Sequence, residues 1–367
     1  MDTNQNRKFD DKNSFFESCF EEEGLIFLGI VDLKRQESTD FFRKWLSLGY
    51  HSEMRFLERN IEIREDPTRL FPGAKTGIIF ALPYYCGDTY DEIISSKNPS
   101  VSQYARFPDY HRIMKIKAER VLKKIRIKLG NTGLNSFESR IYTDSAPIFE
   151  RAFAARTGSG FIGKNFFFIH REKGSFILLG EIITSIGFFE LSCESEGKTC
   201  ANLCRDCQLC WESCPTKAYK NGFFDANRCI SYWTIENRGI IPVSYWKWLK
   251  WYYFGCDICQ LVCPYNKGIP IADHDNLGGK RKYPALFDIA MMEQDFFYHF
   301  FKGTPLERAT KAGLQRNALI ALTVTENKNI IETLKIVKKM ATDNTLVMTI
   351  HQIEKFLDIN KNAGSGT

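Results

Sequence analysis

Four cysteines in the stretch CRDCQLCWESCP, Cys204, Cys207, Cys210 and Cys214, stand at spacings of two, two and three residues, and Pro215 follows the last. Thiolates are soft donors for iron or zinc. Three of them on one tight loop can cap three corners of a cube of iron and sulfide. The fourth, just ahead of the proline, points the other way and calls for a second cube. A partner run is therefore expected. GCDICQLVCPYN provides it as Cys256, Cys259 and Cys263, the last again followed by a proline.

This is the spacing of bacterial ferredoxins. Two cubes need eight thiolates and the two runs hold seven, so Cys229, in NRCISYW between them, is the natural eighth. The crossed arrangement places Cys204, Cys207, Cys210 and Cys263 on one [4Fe–4S] cluster, and Cys214, Cys229, Cys256 and Cys259 on the other. A pair of zinc sites is the alternative, although the spacing suits a zinc knuckle poorly. Cys193 and Cys200 nearby, with Cys19 and Cys86 upstream, fall outside both patterns and read as bystanders.

The rest of the composition agrees with metal rather than bridges. Ten of the twelve cysteines lie between Cys193 and Cys263. The N-terminal stretch MDTNQNRKFDDKNSFFESCFEEEG is polar and acidic, so neither a secretory leader nor a twin-arginine signal is expected. No run of 18 apolar residues offers a membrane span. The expectation is a cytoplasmic protein, where structural disulfides are rare. A net charge of +6 permits a nucleic-acid partner without requiring one.

Clusters of this kind form an electron wire, and a wire needs a terminus. The elements around it read as α+β. GLIFLGIVDL and TGIIFALPYY look like buried strands, and STDFFRKWLSLGYHSEMRFLERNIEIRED between them like a helix ending near Pro67. YHRIMKIKAERVLKKIRIKLG has a helical stripe of Met114, Ala118, Val121, Leu122, Ile125 and Leu129, closed by Gly130. Its other face carries Arg112, Lys115, Arg120, Lys123 and Lys124, a solvated face or a nucleic-acid patch. SRIYTDSAPIFERAFAARTGSG reads as a strand entering a helix, with Ser145 as cap and Pro147 in the first turn. FFFIHREKGSFILLGEIIT reads as a hairpin around REKG. Gly158, Gly160 and Gly163 follow no strand as a nucleotide fingerprint would, and read as a loop that lets backbone approach a ligand. YWKWLKWYYF interleaves aromatics with Lys247 and Lys250, as packing or as a surface for bases. From residue 285 the pattern is helical. The expected segments are 1–190, 191–284 and 285–360, with 361–367 a disordered tail.

Seven stretches occur in an order that carries a resemblance: GYHSEMRFLERNIEIREDPTRLFPGAK, YARFPDYHRIMK, YTDSAPIFERAFAARTGSGFIGKN, HREKGSFILLGEI, CRDCQLCWESCPTKA, RCISYWTIENRG and GCDICQLVCPYN. Over residues 24–325 the chain resembles the epoxyqueuosine reductases, which perform the last step in making the tRNA nucleoside queuosine. The resemblance implies an oxidoreductase with cobalamin and two [4Fe–4S] clusters. It implies a nitroreductase-like α/β domain that holds cobalamin, a ferredoxin-like domain and a C-terminal HEAT-like repeat. The implied substrate is epoxyqueuosine at the wobble position of tRNAs for Tyr, His, Asn and Asp, bound through the anticodon loop. The remaining expectations are an external low-potential electron donor and a monomer.

Carried over position by position, Asp144 in TDSAP matches the family's proton donor. Phe168, Arg171 and Leu179 fall where a hairpin lines the corrin, two of them through backbone. Arg59, in FLER, and Glu236, in TIENR, match further cobalamin contacts. The chain departs from the pattern in GSGFIGKN, where the family has GLGWIGKN, and in RNALIALTVTENKN, which lacks the glycine that usually breaks the repeat. The cobalamin box Asp-x-His-x-x-Gly is absent, with Met114 where Asp109-x-His111 would need its glycine. The Asp144 carboxyl is expected to be held in its acid form by desolvation, with a bound water or Tyr104 as the alternative donor. Two other readings share the cysteines: a corrinoid reductive dehalogenase, which usually carries a twin-arginine signal, and a non-catalytic ferredoxin-type electron-transfer protein.

Overall fold

GLIFLGIVDL and TGIIFALPYY form antiparallel strands β1 (Ile26–Asp32) and β2 (Thr76–Pro83) in the computed structural model, which describes residues 14–33, 38–130, 136–187, 191 and 203–364. Cys193, Cys200 and the last three residues lie outside them. The chain divides into two discontinuous units. One takes Met1–Gly87, Tyr110–Trp211 and Val262–Gly278; the other takes Asp88–Asp109, Glu212–Leu261 and Gly279–Thr367. The division cuts across the linear segments 1–190, 191–284 and 285–360.

In the first unit, β3 (Ser139–Tyr142) and β6 (Ile177–Thr184) complete a four-stranded sheet of order β1-β2-β6-β3. β2 pairs with the whole of β6, from Thr76 opposite Thr184 to Pro83 opposite Ile177. Helix α1 (Tyr110–Gly130) lays Met114, Ala118, Val121 and Ile125 on one face. The approach is close enough that a Cβ on Gly180 would stand 2.5 Å from the Phe80 ring and 3.0 Å from Met114. The other face is covered by α2 (Glu150–Arg156), whose Phe153, Ala154 and Ala155 pack with Val31, Ile79, Ala81 and Ile183.

Three expectations need correction here. The long helix before Pro67 is three short pieces, Ser38–Ser47, Arg55–Glu58 and Ile61–Glu65, because Gly49, Ser52 and Asn60 take left-handed φ and turn the chain between them. The hairpin around REKG is not one sheet. Phe168–His170 (β5) pairs with Gly160–Ile162 (β4), while Ile177–Thr184 belongs to the main sheet. Gly160 makes the first pairing possible, since a Cβ there would meet the Ile169 carbonyl at 2.2 Å. Helix α2 starts at Glu150 with Phe149 as its cap, so Ser145 caps nothing and residues 143–149 form a loop instead.

The second unit is built around helix α3 (Thr310–Val324), buried on every side from Gly313 to Thr323. Such a helix belongs inside a core. Trp246, Leu249 and Phe254 pack with it, as do α4 (Ile330–Met340) and α5 (Asn344–Gly364) through Leu334, Val337, Leu346 and Ile350. The aromatic run is thus largely core. Trp248 and Trp251 stack at 5.3 Å, with Lys247 and Lys250 over their rings. The missing glycine after α3 is replaced by Glu326, at φ 53°, with Asn327 N–H closing back to the Leu322 carbonyl at 3.1 Å. Helix α5 continues through Gly364. Among the described residues no helix is long and apolar enough to cross a membrane.

Arg316 lies at the centre of this unit, 1% exposed. Its guanidinium donates to the carbonyls of Asn237 (2.9 Å), Gly239 (2.5 Å) and Trp233 (2.9 Å) and to Asn317 Oδ1. Burial lowers its pKa to about 10, which still leaves it charged at neutral pH. Arg316→Met would strand those carbonyls and should cost about 3–5 kcal/mol. A thermal melt tests this: a fall in midpoint of less than about 2 °C would show that the cation is dispensable.

Candidate functional site

Strand β3 ends at Tyr142, opposite Glu181 of β6, and the chain leaves the sheet there. β3 covers only Glu181–Thr184, so among the described residues Ile177–Gly180 has no strand on that side. Asp144 stands two residues beyond, beside this open edge, at φ 57°. Its side chain is 61% exposed. Tyr110 Oη donates to Asp144 Oδ2 at 2.7 Å, and His111 Nε2 lies 3.7 Å from the same oxygen. The Tyr110 and His111 rings stack at 4.1 Å. The N-terminus of α1 therefore presents both partners to the aspartate.

These contacts overturn the expectation that desolvation decides the charge of Asp144. The His111 imidazole beside it is the largest influence and holds the carboxyl below its usual range. Burial opposes it, and Tyr110 and Arg151 add to the lowering. Two acids nearby behave in the opposite way. Glu150, whose Oε1 accepts the Asp144 backbone N–H at 2.5 Å, is pushed up to about 8 by burial and then by the charge of Asp144. Glu181 is 0% exposed, and neither carboxyl oxygen has a hydrogen-bond partner. Burial first, then Glu150 and Asp144, hold it well above the carboxylate range. The site is one exposed carboxylate over two neutral carboxylic acids.

Sequence reasoning named Asp144 and missed Tyr110, His111, Glu150 and Glu181 as its neighbours. One signal was available: Glu181 is a lone carboxylate in the otherwise apolar strand ILLGEIIT.

The cysteines gather as the crossed spacing predicts. In the first unit Cys204, Cys207, Cys210 and Cys263 line one small cavity with Lys164, Ile169, Leu203 and Tyr265. Burial, then Cys204, Cys263 and Cys207, push the Cys210 thiol up to about 12. In the second unit Cys229 feels Cys214, and Cys256 feels Cys229 and Cys259. Tyr219 lies against Cys259, Cys229 and Cys214. Thiols crowded in apolar surroundings resist ionisation, so each set suits a cationic core that would accept four thiolates at once. Among the described residues no three His, Cys, Asp or Glu side chains converge on a point where one ion would sit.

Backbone donors are already in place for the sulfurs. Lys164 N–H donates to Cys204 Sγ at 3.5 Å, and Ala218 N–H to Cys214 Sγ at 3.4 Å. Lys164 Nζ is held by the Arg205 carbonyl at 2.5 Å and lies 5.9 Å from the centre of the Trp211 ring. The glycine loop thus presents a backbone N–H and a cation to the first cysteine set. Cys19 is a buried bystander and Cys86 half-buried, both outside the two sets.

The expected cobalamin contacts are only partly brought together. Leu179 lies on the open edge of β6, and the Phe168 side chain is buried in the same apolar cluster, with its backbone paired opposite Ile162. Arg171 is exposed at the tip after β5 and Arg59 is exposed after residues 55–58. Glu236, in the second unit, closes a π-helical turn and is bound by Arg308 at 2.8 Å. A cleft of about 820 Å³ opens in the first unit along Phe27, Pro83, Tyr85, His170, Lys173 and Phe176. None of the six expected residues lines it, although Arg171 lies between His170 and Lys173. The unpaired β6 edge, with apolar Leu179 beside it, offers alternate N–H and C=O groups to an amide-fringed ring, and in that respect the residues fit a corrin.

Two family descriptions match: Epoxyqueuosine reductase QueG, DUF1730, over residues 64–145, and 4Fe-4S double cluster binding domain, over residues 203–266. The epoxyqueuosine reductase of Leadbetterella byssophila is 32% identical over 296 residues, covering 80% of this chain and 93% of that one. The chain belongs to the epoxyqueuosine reductase family. An epoxyqueuosine reductase from Bacillus subtilis, solved with an aspartate-bearing catalytic loop swung out of the active site, is 26% identical. Its TM-score is 0.75, over 94% of this chain and 90% of that one. The fold is shared as well with an epoxyqueuosine reductase crystallised with an epoxyqueuosine-modified tRNA-Tyr stem loop, at 23% identity and TM-score 0.73, over 95% of this chain and 99% of that one.

A prediction follows from Lys164. A nearby cation and an N–H···S bond both favour the reduced, more negative cluster. Lys164→Met should therefore lower the midpoint potential of one cluster only, with iron content unchanged. Redox titration followed by EPR reads this, and two unmoved midpoints would show that the ammonium has no electrostatic role.

Proposed function

We propose that this chain reduces epoxyqueuosine in tRNA to queuosine, opening the epoxide to the alkene with two electrons, two protons and the loss of water. The observation that carries the reading is Asp144. It is a solvent-facing carboxylate at the open edge of a sheet, held by Tyr110 and His111, in the one motif where the family places its proton donor. The competing readings, a reductive dehalogenase and a plain electron carrier, gain nothing from the family match.

Asp144 delivers a proton to the departing oxygen. In the open site it is an anion, so its proton comes with closure. Substrate and cofactor displace water from an exposed side chain, which raises its proton affinity, and His111 is near enough to share the proton. The eight cysteines hold two [4Fe–4S] clusters, Cys204, Cys207, Cys210 and Cys263 on one and Cys214, Cys229, Cys256 and Cys259 on the other. They are fed by an external low-potential donor. Cobalamin, when bound, supplies a reduced cobalt centre reactive toward strained carbon. Leu179 would meet the ring through backbone along the open edge, with Phe168, Arg171, Arg59 and Glu236 as further contacts. Residues 1–190 are nitroreductase-like, residues 191–284 ferredoxin-like and residues 285–360 HEAT-like.

The substrates are the tRNAs for Tyr, His, Asn and Asp, held at the anticodon loop by a cytoplasmic monomer. Internal pairing narrows the basic groups available for phosphate. Of the cations on α1, Lys124 and Arg120 are engaged by Glu22 and Glu23. In the C-terminal helices Arg308 pairs with Glu236, Lys338 pairs with Glu354, and Arg316 is buried. Exposed cations such as Arg112, Lys115 and Lys123 on α1, and Lys335 and Lys339 on α4, remain to meet phosphate.

Two measurements test this reading. Asp144→Asn should bind both clusters, cobalamin and tRNA, yet turn over about 10²–10⁴-fold more slowly. Turnover near the wild-type rate would remove Asp144 from the chemistry. Cys229→Ala should reduce iron from about eight per chain to about four. Eight retained irons would mean that another residue is the eighth ligand.

A further inference from the structure

Asp144 sits in a loop that has little to hold it. Residues 143–149 contain no helix or strand, and their internal backbone bonds are two tight ones, Ser145 N–H to the Thr143 carbonyl at 2.6 Å and Ile148 N–H to the Ala146 carbonyl at 2.8 Å. Asp144 also adopts a left-handed φ of 57°, which an L-residue enters at a cost of about 1 kcal/mol. A seven-residue segment of this kind has many alternatives, so something must select the conformation that faces Tyr110 and His111.

Besides Tyr110 and His111, which meet the Asp144 carboxylate, two side chains reach the loop backbone from regular structure. Arg64, from the helix Ile61–Glu65, donates to the Ile148 carbonyl at 3.3 Å, near the end of the loop remote from Asp144. Glu150, the first residue of α2, accepts the backbone N–H of Asp144 itself at 2.5 Å. The Glu150 bond ties the left-handed residue to the helix that follows and closes the loop on itself. We propose that Glu150 is a positioning residue whose carboxyl oxygen latches the loop and thereby fixes where the Asp144 carboxylate points. The proposal rests on Asp144 being the proton donor.

A carboxyl group accepts an N–H through its carbonyl oxygen whether or not it carries a proton. The latch therefore survives the rise in Glu150 proton affinity caused by burial and by Asp144, which Arg151 and Arg64 only partly offset. A neutral Glu150 also spares Asp144 a second negative charge, so the two carboxyls can lie this close while Asp144 remains an anion. Glu181, buried beneath and neutral as well, adds none.

The test compares Glu150→Met, which keeps volume and removes the acceptor, with Glu150→Gln, whose amide oxygen can accept the same N–H. Hydrogen exchange of residues 143–149 is measured on the full chain with its clusters and without cobalamin. Turnover is measured separately with tRNA and cobalamin. Loop exchange should quicken about five- to tenfold in Glu150→Met, the scale of one hydrogen bond. Its kcat should fall by up to about 10²-fold, as for a misplaced catalytic group, with KM for tRNA nearly unchanged. Glu150→Gln should recover most of both. If Glu150→Met does not fold, Glu150→Ala takes its place. Wild-type loop exchange in the acceptor-free variant overturns the latch. A Glu150→Gln enzyme with a protected loop but the same kinetic defect as Glu150→Met overturns it too, and would assign Glu150 to proton transfer instead. Failure of the Asp144 reading shows elsewhere, as an active Asp144→Asn enzyme, and leaves the exchange result standing.

Discussion

The exchange of one cysteine between two sequence runs is the constraint on which the rest of the molecule depends. Each thiol set takes its fourth member from the other run, so the chain must pass between units just after Cys210 and again just before Cys263. The unit boundaries fall at those points, between Trp211 and Glu212 and between Leu261 and Val262. The returning segment, Val262–Gly278, then does more than deliver a thiolate. Asn266 Oδ1 accepts Ser175 N–H at 2.7 Å, Ala272 N–H donates to the Tyr85 carbonyl at 2.9 Å, and Asn276 Nδ2 donates to the Gly24 carbonyl at 3.0 Å. A piece of the cysteine-rich region is thereby built into the sheet unit that carries Asp144.

Internal pairing uses up much of what the sequence displays as charge. Glu22 and Glu23 turn inward to Arg120 and Lys124 of α1, so part of the basic stripe on that helix is scaffold. Arg316 has become a knot of backbone hydrogen bonds. A cation buried against carbonyl oxygens satisfies acceptors that a helix-rich core would otherwise leave unpaired near the π-helical turn at Tyr232–Glu236. Counting basic residues along the C-terminal helices therefore overstates the unpaired charge at their surface.

The cysteine sets were legible because their spacing is a local property that survives folding: three thiols on one loop are neighbours wherever that loop goes. The long α1 helix was legible for the same reason, its stripe repeating with the helical period. The loop at 143–149 was not. Ser145 and Pro147 are good helix-entry residues, yet the loop that holds them is tied by Tyr110, Arg64 and Glu150 and stays out of α2. The REKG hairpin failed because strand identity says nothing about partners. Two apolar runs around a turn look alike whether they pair with each other or, as here, one joins Gly160–Ile162 and the other the main sheet. Glu181 was visible as an odd carboxylate, but its relation to Asp144 exists only across the β3–β6 register.

On the proposed role of Asp144, that register bears on why a proton donor would stand on a loop at the end of a strand. A proton donor needs an affinity that changes when substrate arrives. Glu181, fully buried with no partner, is already a neutral acid, and no ligand can desolvate it further. Burial and the neighbouring acids hold its proton affinity well above the carboxylate range. Asp144, exposed and hydrogen-bonded, starts as an anion with water still to lose, so a ligand that covered it would move its affinity upward. Two carboxyl groups on adjacent elements of one sheet thus differ in what binding can do to them, and only the one outside the sheet can be switched.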